Sequence, residues 1–279
     1  MPDMFGNSSA KIVRHVAVMQ TEQFSAAKNY RWRRHLARMF GVKLTGDIPE
    51  RLIAAGVPIP LSVKRRRRLA SIRSSGVLFI HVPKNAGTSL SMALYGHAVT
   101  HDTMRYYAHV APDFVASATS VAVVRDPVAR FVSAFRYAAT GGTRHRRVSE
   151  PFRAAYQAFR SIDAALDHLE RHRDPFAVDH IFRAQCWYLT DAAGRLAVDH
   201  LVPIDDLGRL HALFADRKVA PFPRLNASRA SATMLSDVQR ARIRRLYAED
   251  VALWESVRGD RPRADRTDEA FVGAFVASS

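Results

Sequence analysis

The sequence predicts an α/β fold with a mainly parallel sheet flanked by helices, and three observations carry the prediction. Val77-Leu-Phe-Ile-His-Val82 is apolar but for His81, and Val121-Ala-Val-Val124 is a second apolar run. Runs that are apolar at successive positions belong to strands covered on both faces, as parallel sheets require. Segments of helical periodicity follow each run, so strand and helix alternate from residue 76 onward.

Residues 1–75 read as a helical and basic N-terminal extension. Segments 10–41 and 47–56 carry helix-like patterns, and Lys64-Arg-Arg-Arg-Arg68 precedes the first strand. That strand ends in a tight turn, and a helix begins near Thr88. After the second strand, Asp126 can cap a helix whose first position is Pro127, and that helix runs to about Tyr137. Gly141-Gly142 and the basic segment after it read as a loop, residues 151–172 as helical, and residues 196–203 as a strand. Ser236-Asp-Val-Gln239 is a capping box opening one long amphipathic helix to about Arg258. The main domain therefore spans 76–258, and 259–279 is a C-terminal tail.

Of 279 residues, 48% are apolar, enough for a packed core. No apolar run reaches the roughly 18 residues that would cross a bilayer. Met1-Pro-Asp-Met-Phe-Gly6 lacks the charged-then-apolar layout of a secretory leader. Cys186 is the only cysteine, which excludes a disulfide framework and a thiolate metal cluster. The cytoplasm is the expected compartment, with peripheral contact at the inner membrane face open through the basic run. The balance is strongly basic, 42 Lys+Arg against 26 Asp+Glu for a net charge of +16. Such charge favours anionic partners without choosing among nucleic acid, acidic lipid, a phosphorylated cofactor and an acidic saccharide. Lys64–Arg68 suits an anionic membrane or nucleic acid, and equally a solvated basic face. No zinc-finger spacing, RNA-binding aromatic motif or clear helix-turn-helix accompanies it, so nucleic acid is the weaker expectation.

The turn after the first strand, Pro83-Lys-Asn-Ala-Gly-Thr-Ser89, has the layout of a phosphate cradle. Gly87 lets the backbone approach a ligand. Thr88 and Ser89 add hydroxyls to the amides of a helix N-terminus, whose dipole favours an anion. Lys84 is placed to reach that anion. The triphosphate-binding loop is G-x-x-x-x-G-K-[ST], with lysine after the last glycine; here Lys84 precedes Gly87. The predicted sheet is thus P-loop-like with a departure in its loop, and an ordinary strand–turn–helix connection is the plainer alternative. A second constellation lies at the end of the next strand. Arg125 stands at the carboxyl edge of the sheet, where open α/β folds bind ligands, and Ser133 lies two turns up the following helix. The pair suits a second phosphate; a local ion pair between Arg125 and Asp126 is the alternative.

The two motifs, in this order, resemble those of the sulfotransferases, in particular the group that includes the carbohydrate O-sulfotransferases. That family shows a P-K-T-[AG]-G-T-[ST] phosphosulfate loop and an R-D-P-x-x-R-x-x-S-x-[FY] 3′-phosphate motif. The likeness extends to His180-Ile-Phe-Arg-Ala-Gln185, similar to H-F-R-P-Q. It also takes in Gly194–Asp199, Leu225-Asn-Ala-Ser228 and Leu246-Tyr-Ala-Glu-Asp250, so that it covers 76–258. The resemblance implies transfer of the sulfuryl group of 3′-phosphoadenosine 5′-phosphosulfate to a hydroxyl of a saccharide or glycolipid, an anionic one suiting the basic surface. It implies that Lys84, Asn85, Ala86, Gly87, Thr88 and Ser89 hold the 5′-phosphosulfate and that Arg125 and Ser133 hold the 3′-phosphate. Ser228 and Arg229 would belong to a segment closing over the nucleotide. Lys84 would also meet charge growing on the bridging oxygen, and no metal is implied.

An acceptor hydroxyl needs a base. His109, in Tyr106-Tyr-Ala-His-Val-Ala-Pro-Asp-Phe114, is the expected one. It falls between the two motifs, where related glycan sulfotransferases carry H-V followed by aromatic and acidic residues, and a neutral imidazole suits proton removal near pH 7. His101 is next in order, then Asp113 and His81. The chain departs from the family pattern at Asn85, which replaces a threonine, and at Ile181 and Ala184. Ile204-Asp-Asp-Leu207 stands where a glutamate is common. These departures leave His180, Arg183 and Gln185 open as acceptor or scaffold residues. Two other classes stay in view. One is a nucleotide kinase or triphosphatase, against which the position of Lys84 and the Arg125–Ser133 pair both speak. The other is a non-catalytic binder of nucleic acid or membrane through Lys64–Arg68.

Overall fold

The computed structural model describes residues 32–143, 146–214 and 233–259. Ser228 and Arg229, residues 10–31 of the first helix-like stretch and the tail beyond Gly259 lie outside the described residues. The chain divides into two compact units, Met1–Ile48 and Pro49–Ser279. In the first, helix α1 (32–39) ends at Gly41, whose left-handed φ of +64° lets the Val42 amide reach back to the Ala37 carbonyl at 3.0 Å.

From Ile48 onward the helices and strands are α2 (Ile48–Ala54), α3 (Val63–Ser75), β1 (Val77–Ile80), α4 (Gly87–Tyr95), α5 (Met104–Val110), α6 (Pro112–Ser117), β2 (Thr119–Val124) and α7 (Pro127–Ala139). There follow α8 (Glu150–Gln157), α9 (Ile162–Arg171), α10 (Cys186–Leu189), β3 (His200–Pro203), α11 (Gly208–Leu213), α12 (Asp237–Leu246) and α13 (Ala248–Arg258). The α/β alternation expected from the sequence is present. The three strands pair in parallel in the order β1-β2-β3, with Val77 opposite Thr119 and Val121 opposite His200.

Strand residues alternate between the two faces of the sheet. Val77, Phe79, Val121, Val123 and Val202 form one apolar layer with Leu90 of α4, Leu210 of α11 and Phe214. Leu78, Ile80, Ala122 and Val124 are buried on the opposite face. Burying each large side chain of this set stabilises the fold by about 1.5–3 kcal/mol. The free edge of β1 is closed by Tyr95, whose hydroxyl accepts from the Phe79 amide (2.8 Å) and donates to the Val77 carbonyl (3.0 Å).

Helix starts follow the capping chemistry of the sequence. The Asp126 carboxylate accepts from the Ala129 amide at 2.7 Å ahead of Pro127, and Ser236 and Gln239 complete a capping box. The single helix expected from Ser236 to Arg258 is instead two, α12 and α13, parted at Tyr247 (φ −118°, ψ 41°). Tertiary bonds fix the break. The buried Tyr247 hydroxyl donates to the Phe182 carbonyl at 2.7 Å, and Asp250 accepts from the Gln185 and Cys186 amides at 2.8 and 2.9 Å. The third strand is also shorter than expected: Leu196 makes an isolated bridge with Thr190, and β3 begins at His200.

Candidate functional site

β1 carries the chain to the carboxyl edge of the sheet, where it turns through Lys84, Asn85 and Ala86 into α4. Lys84 (φ +71°) and Ala86 (φ +59°) both occupy the left-handed region without being glycine. Each such residue costs about 1 kcal/mol or more and persists only where its surroundings hold it. Left-handed residues alternating with others turn successive amides toward one side and form an anion-binding concavity. Among the described residues the amides of Asn85, Ala86, Gly87 and Thr88 donate no hydrogen bond to protein. Lys84, Ala86 and Thr88 are half-buried, whereas Asn85, Gly87 and Ser89 are buried beneath them. A Cβ on Gly87 would stand 1.9 Å from the His81 ring, so a side chain there displaces either the loop or the histidine.

Asn85 holds the turn from below. Its amide nitrogen donates to the Val123 carbonyl (2.8 Å) and to Gln185 Oε1 (2.7 Å). Gln185 is fully buried; the same Oε1 accepts from the Arg125 amide (3.0 Å), and its Nε2 donates to the Arg125 carbonyl (2.8 Å). Asp250 fixes Gln185 through its amide. One buried carboxamide therefore links the Lys84 loop to the end of β2, so Gln185 acts here as scaffold. Arg183, 1% exposed, is scaffold as well: its guanidinium donates to the Val178 carbonyl and lies over the Trp187 ring. Asn85 Oδ1 is buried and has no hydrogen-bond partner among the described residues.

Around the loop three cations converge. Arg125 donates to the Lys84 carbonyl at 3.3 Å. Asp126 makes no ion pair with it among the described residues; its carboxylate caps α7 instead. Arg130 is buried and donates to the carbonyls of Pro83 (3.2 Å) and Arg183 (2.5 Å). The Lys84 ammonium lies 4.3 Å from the centre of the Tyr137 ring, a cation–π contact. Burial, and after it the like charges of Arg125 and Arg130, push the Lys84 pKa down to about 8. Arg130 and Tyr137 thus turn one face of α7 toward the loop, and Ser133 lies on that face between them. The structure brings together Lys84, Asn85, Ala86, Gly87, Thr88, Ser89 and Arg125, with Ser133 on the adjoining helix face.

It does not bring His109 to this group. On α5 the preceding Tyr106 and Tyr107 are buried, and His109 projects from the exposed side. Asp113 is exposed and paired to Arg73 through two hydrogen bonds of 2.6 and 2.8 Å. The histidines beside the loop are His81 and His101, with ring centres 4.2 Å apart; His180 lies 5.6 Å beyond His101. His101 Nδ1 donates to the His81 carbonyl (3.1 Å) and His81 Nδ1 to the Val99 carbonyl (3.3 Å). A carbonyl can only accept, so in each neutral ring Nε2 is left as the acceptor. Burial is the main reason both stay neutral, the His81 pKa falling to about 4 and that of His101 also well below its usual value.

Sequence reasoning missed Tyr137 as a neighbour of Lys84 and Arg130 as the clamp on Pro83. The spacing Arg130, Ser133, Tyr137 at i, i+3, i+7 was the available signal, since it places all three on one helix face. Among the described residues no group of His, Cys, Asp and Glu is arranged to hold a metal ion, and no helix is long and apolar enough to cross a membrane. No family model matches the chain, and no curated protein matches it.

Proposed function

We propose that this chain is a sulfotransferase that uses 3′-phosphoadenosine 5′-phosphosulfate and acts on a hydroxyl of a saccharide or glycolipid. The observation that carries the reading is the junction of Lys84 and Arg125. Arg125, just after β2, donates to the backbone carbonyl of Lys84, in the turn after β1, at the carboxyl edge of a parallel sheet. The turn is strained and has amides unengaged among the described residues. The residues fit the donor's two anionic ends. The P-loop-like turn, with Lys84 and the amides from Asn85 to Thr88, suits the 5′-phosphosulfate. Arg125 and Ser133 suit the 3′-phosphate. Bound there, the donor supplies an activated sulfuryl group. Lys84 offers its ammonium to the charge left on the departing phosphate, and the converging positive field lowers the barrier because charge is met by groups already in place.

For the base, sequence order favours His109 and geometry favours His101, which packs on His81 behind Gly87 with an unprotonated Nε2. Calorimetry with 3′-phosphoadenosine 5′-phosphate tests the donor site. Wild-type protein should bind it, with affinity about 10- to 100-fold lower in Lys84→Ala and Arg125→Ala, since a hydrogen bond to a charged group is worth roughly 1.5–3 kcal/mol. Absence of binding, or preference for magnesium ATP, overturns the reading. Radiolabelled sulfate transfer to extracted glycans and lipids identifies the acceptor, and comparing His101→Ala with His109→Ala assigns the base to whichever variant binds normally but fails to turn over.

A further inference from the structure

Residues 51–101 contain eight Lys or Arg and no Asp or Glu. On α3 these cations divide by face. Arg65 lies 5.1 Å over the Tyr106 ring, Arg68 donates to Thr100 at 2.6 Å and stands 3.6 Å from Asp102, and Arg73 is paired to Asp113. Ile72, on the same side as Arg65 and Arg68, is buried. Lys64, Arg66 and Arg67 project outward and engage no carboxylate or other partner among the described residues. Val63 opens the same outward face at 56% exposure. The segment leading into it carries Val57, 40% exposed, with Pro58 and Pro60 also exposed.

We propose that this surface, the apolar segment 57–63 with Lys64, Arg66 and Arg67, docks on an anionic phospholipid membrane. Three adjacent cations without internal counterions call for an anionic partner. Exposed valines and prolines beside them gain by leaving water, which the acyl boundary of a membrane offers and a phosphate backbone does not. The patch has no aromatic side chain on which a nucleic acid base could stack. Contact is at the surface, because no described helix can cross the bilayer. Through its inward face α3 is tied to the neighbourhood of the Lys84 loop: Arg68 holds Thr100 and Asp102, and between them His101 packs on His81 just after β1.

The test is sedimentation of the full chain with vesicles of phosphatidylcholine alone and of phosphatidylcholine mixed with phosphatidylserine. Binding should require phosphatidylserine. At roughly fivefold per cation near an anionic surface, K64Q/R66Q/R67Q should weaken it about a hundredfold. V57S/V63S should weaken it about tenfold and leave only salt-sensitive binding. R68Q, which alters an inward-facing cation, should bind vesicles like wild type. All the outward positions are exposed, so an unchanged thermal midpoint shows that the variants are folded. Equal binding to both vesicle types, no effect of the triple substitution, or tighter binding to duplex DNA than to phosphatidylserine vesicles at the same salt would each overturn the proposal.

Discussion

Arg125 and Arg130 come from one short segment and do opposite work. Arg130 is 2% exposed, and its guanidinium donates to the backbone carbonyls of Pro83, Ile181 and Arg183. Arg125 is half-buried and gives one side-chain bond, to the Lys84 carbonyl, and among the described residues the rest of its donor fork meets no protein acceptor. Both carry the same charge at the same edge of the sheet. What separates them is how much of the fork the backbone already occupies, and that makes one a clamp on the Lys84 turn and the other a group left for an anion.

The largest expected effect breaks the clamp. Arg130→Met strips donors from buried carbonyls and should destabilise the protein by at least about 3 kcal/mol, lowering the thermal midpoint by roughly 10 °C. Arg125→Met should leave that midpoint within about 2 °C, since only one partly buried bond is lost. Equal losses in the two variants would erase the distinction. Gly87→Ala comes next. Its Cβ would overlap the His81 ring, and the strain should amount to about 2 kcal/mol; adding His81→Ala should recover at least half of it in thermal unfolding.

A smaller effect separates Lys84 from both arginines. An anion in the loop favours protonated Lys84, and the free protein begins to lose that proton near pH 8. Affinity for 3′-phosphoadenosine 5′-phosphate should be level below pH 8 and fall above it by up to about tenfold per pH unit, because binding then requires proton uptake. Lys84→Met should remove the fall. A slope that survives in the variant assigns the titration to another group. The smallest effect is Ala86→Gly. Relief of the left-handed alanine outweighs the added freedom of the unfolded chain, and the midpoint should rise by about 1–2 °C.

The parts of the fold legible in the sequence are those set by local pattern. Val77–Ile80 and Val121–Val124 announce themselves as strands because burial on both faces requires apolar residues throughout. Asp126-Pro127 and Ser236–Gln239 announce helix starts because a cap is a local bond. The break at Tyr247 was not legible: the residues around it form good helix, and the bonds that part α12 from α13 run to Phe182, Gln185 and Cys186. The candidate site divides the same way. Lys84, Gly87 and Arg125 were readable from motif order, whereas Asn85 read as a phosphosulfate-loop residue in place of a threonine, and its side chain is the anchor to Gln185. For the histidines the local pattern gave no hint: His109 stands three residues beyond the buried Tyr106, and its exposure is set by how α5 packs.

The bonds that hold the Lys84 turn span long stretches of chain: 41 residues from Arg125 to Lys84, and 100 from Asn85 to Gln185, which Asp250 reaches across another 65. Contacts of such separation carry the loop-closure entropy of everything between them. During synthesis the sheet can begin to assemble once β2 has emerged. The turn at Lys84 can be locked only after α13 has arrived. A chain cut short before Asp250 would retain strands and helices yet lack the anchor that keeps two non-glycine residues left-handed, so the site is completed last, from the far end of the chain.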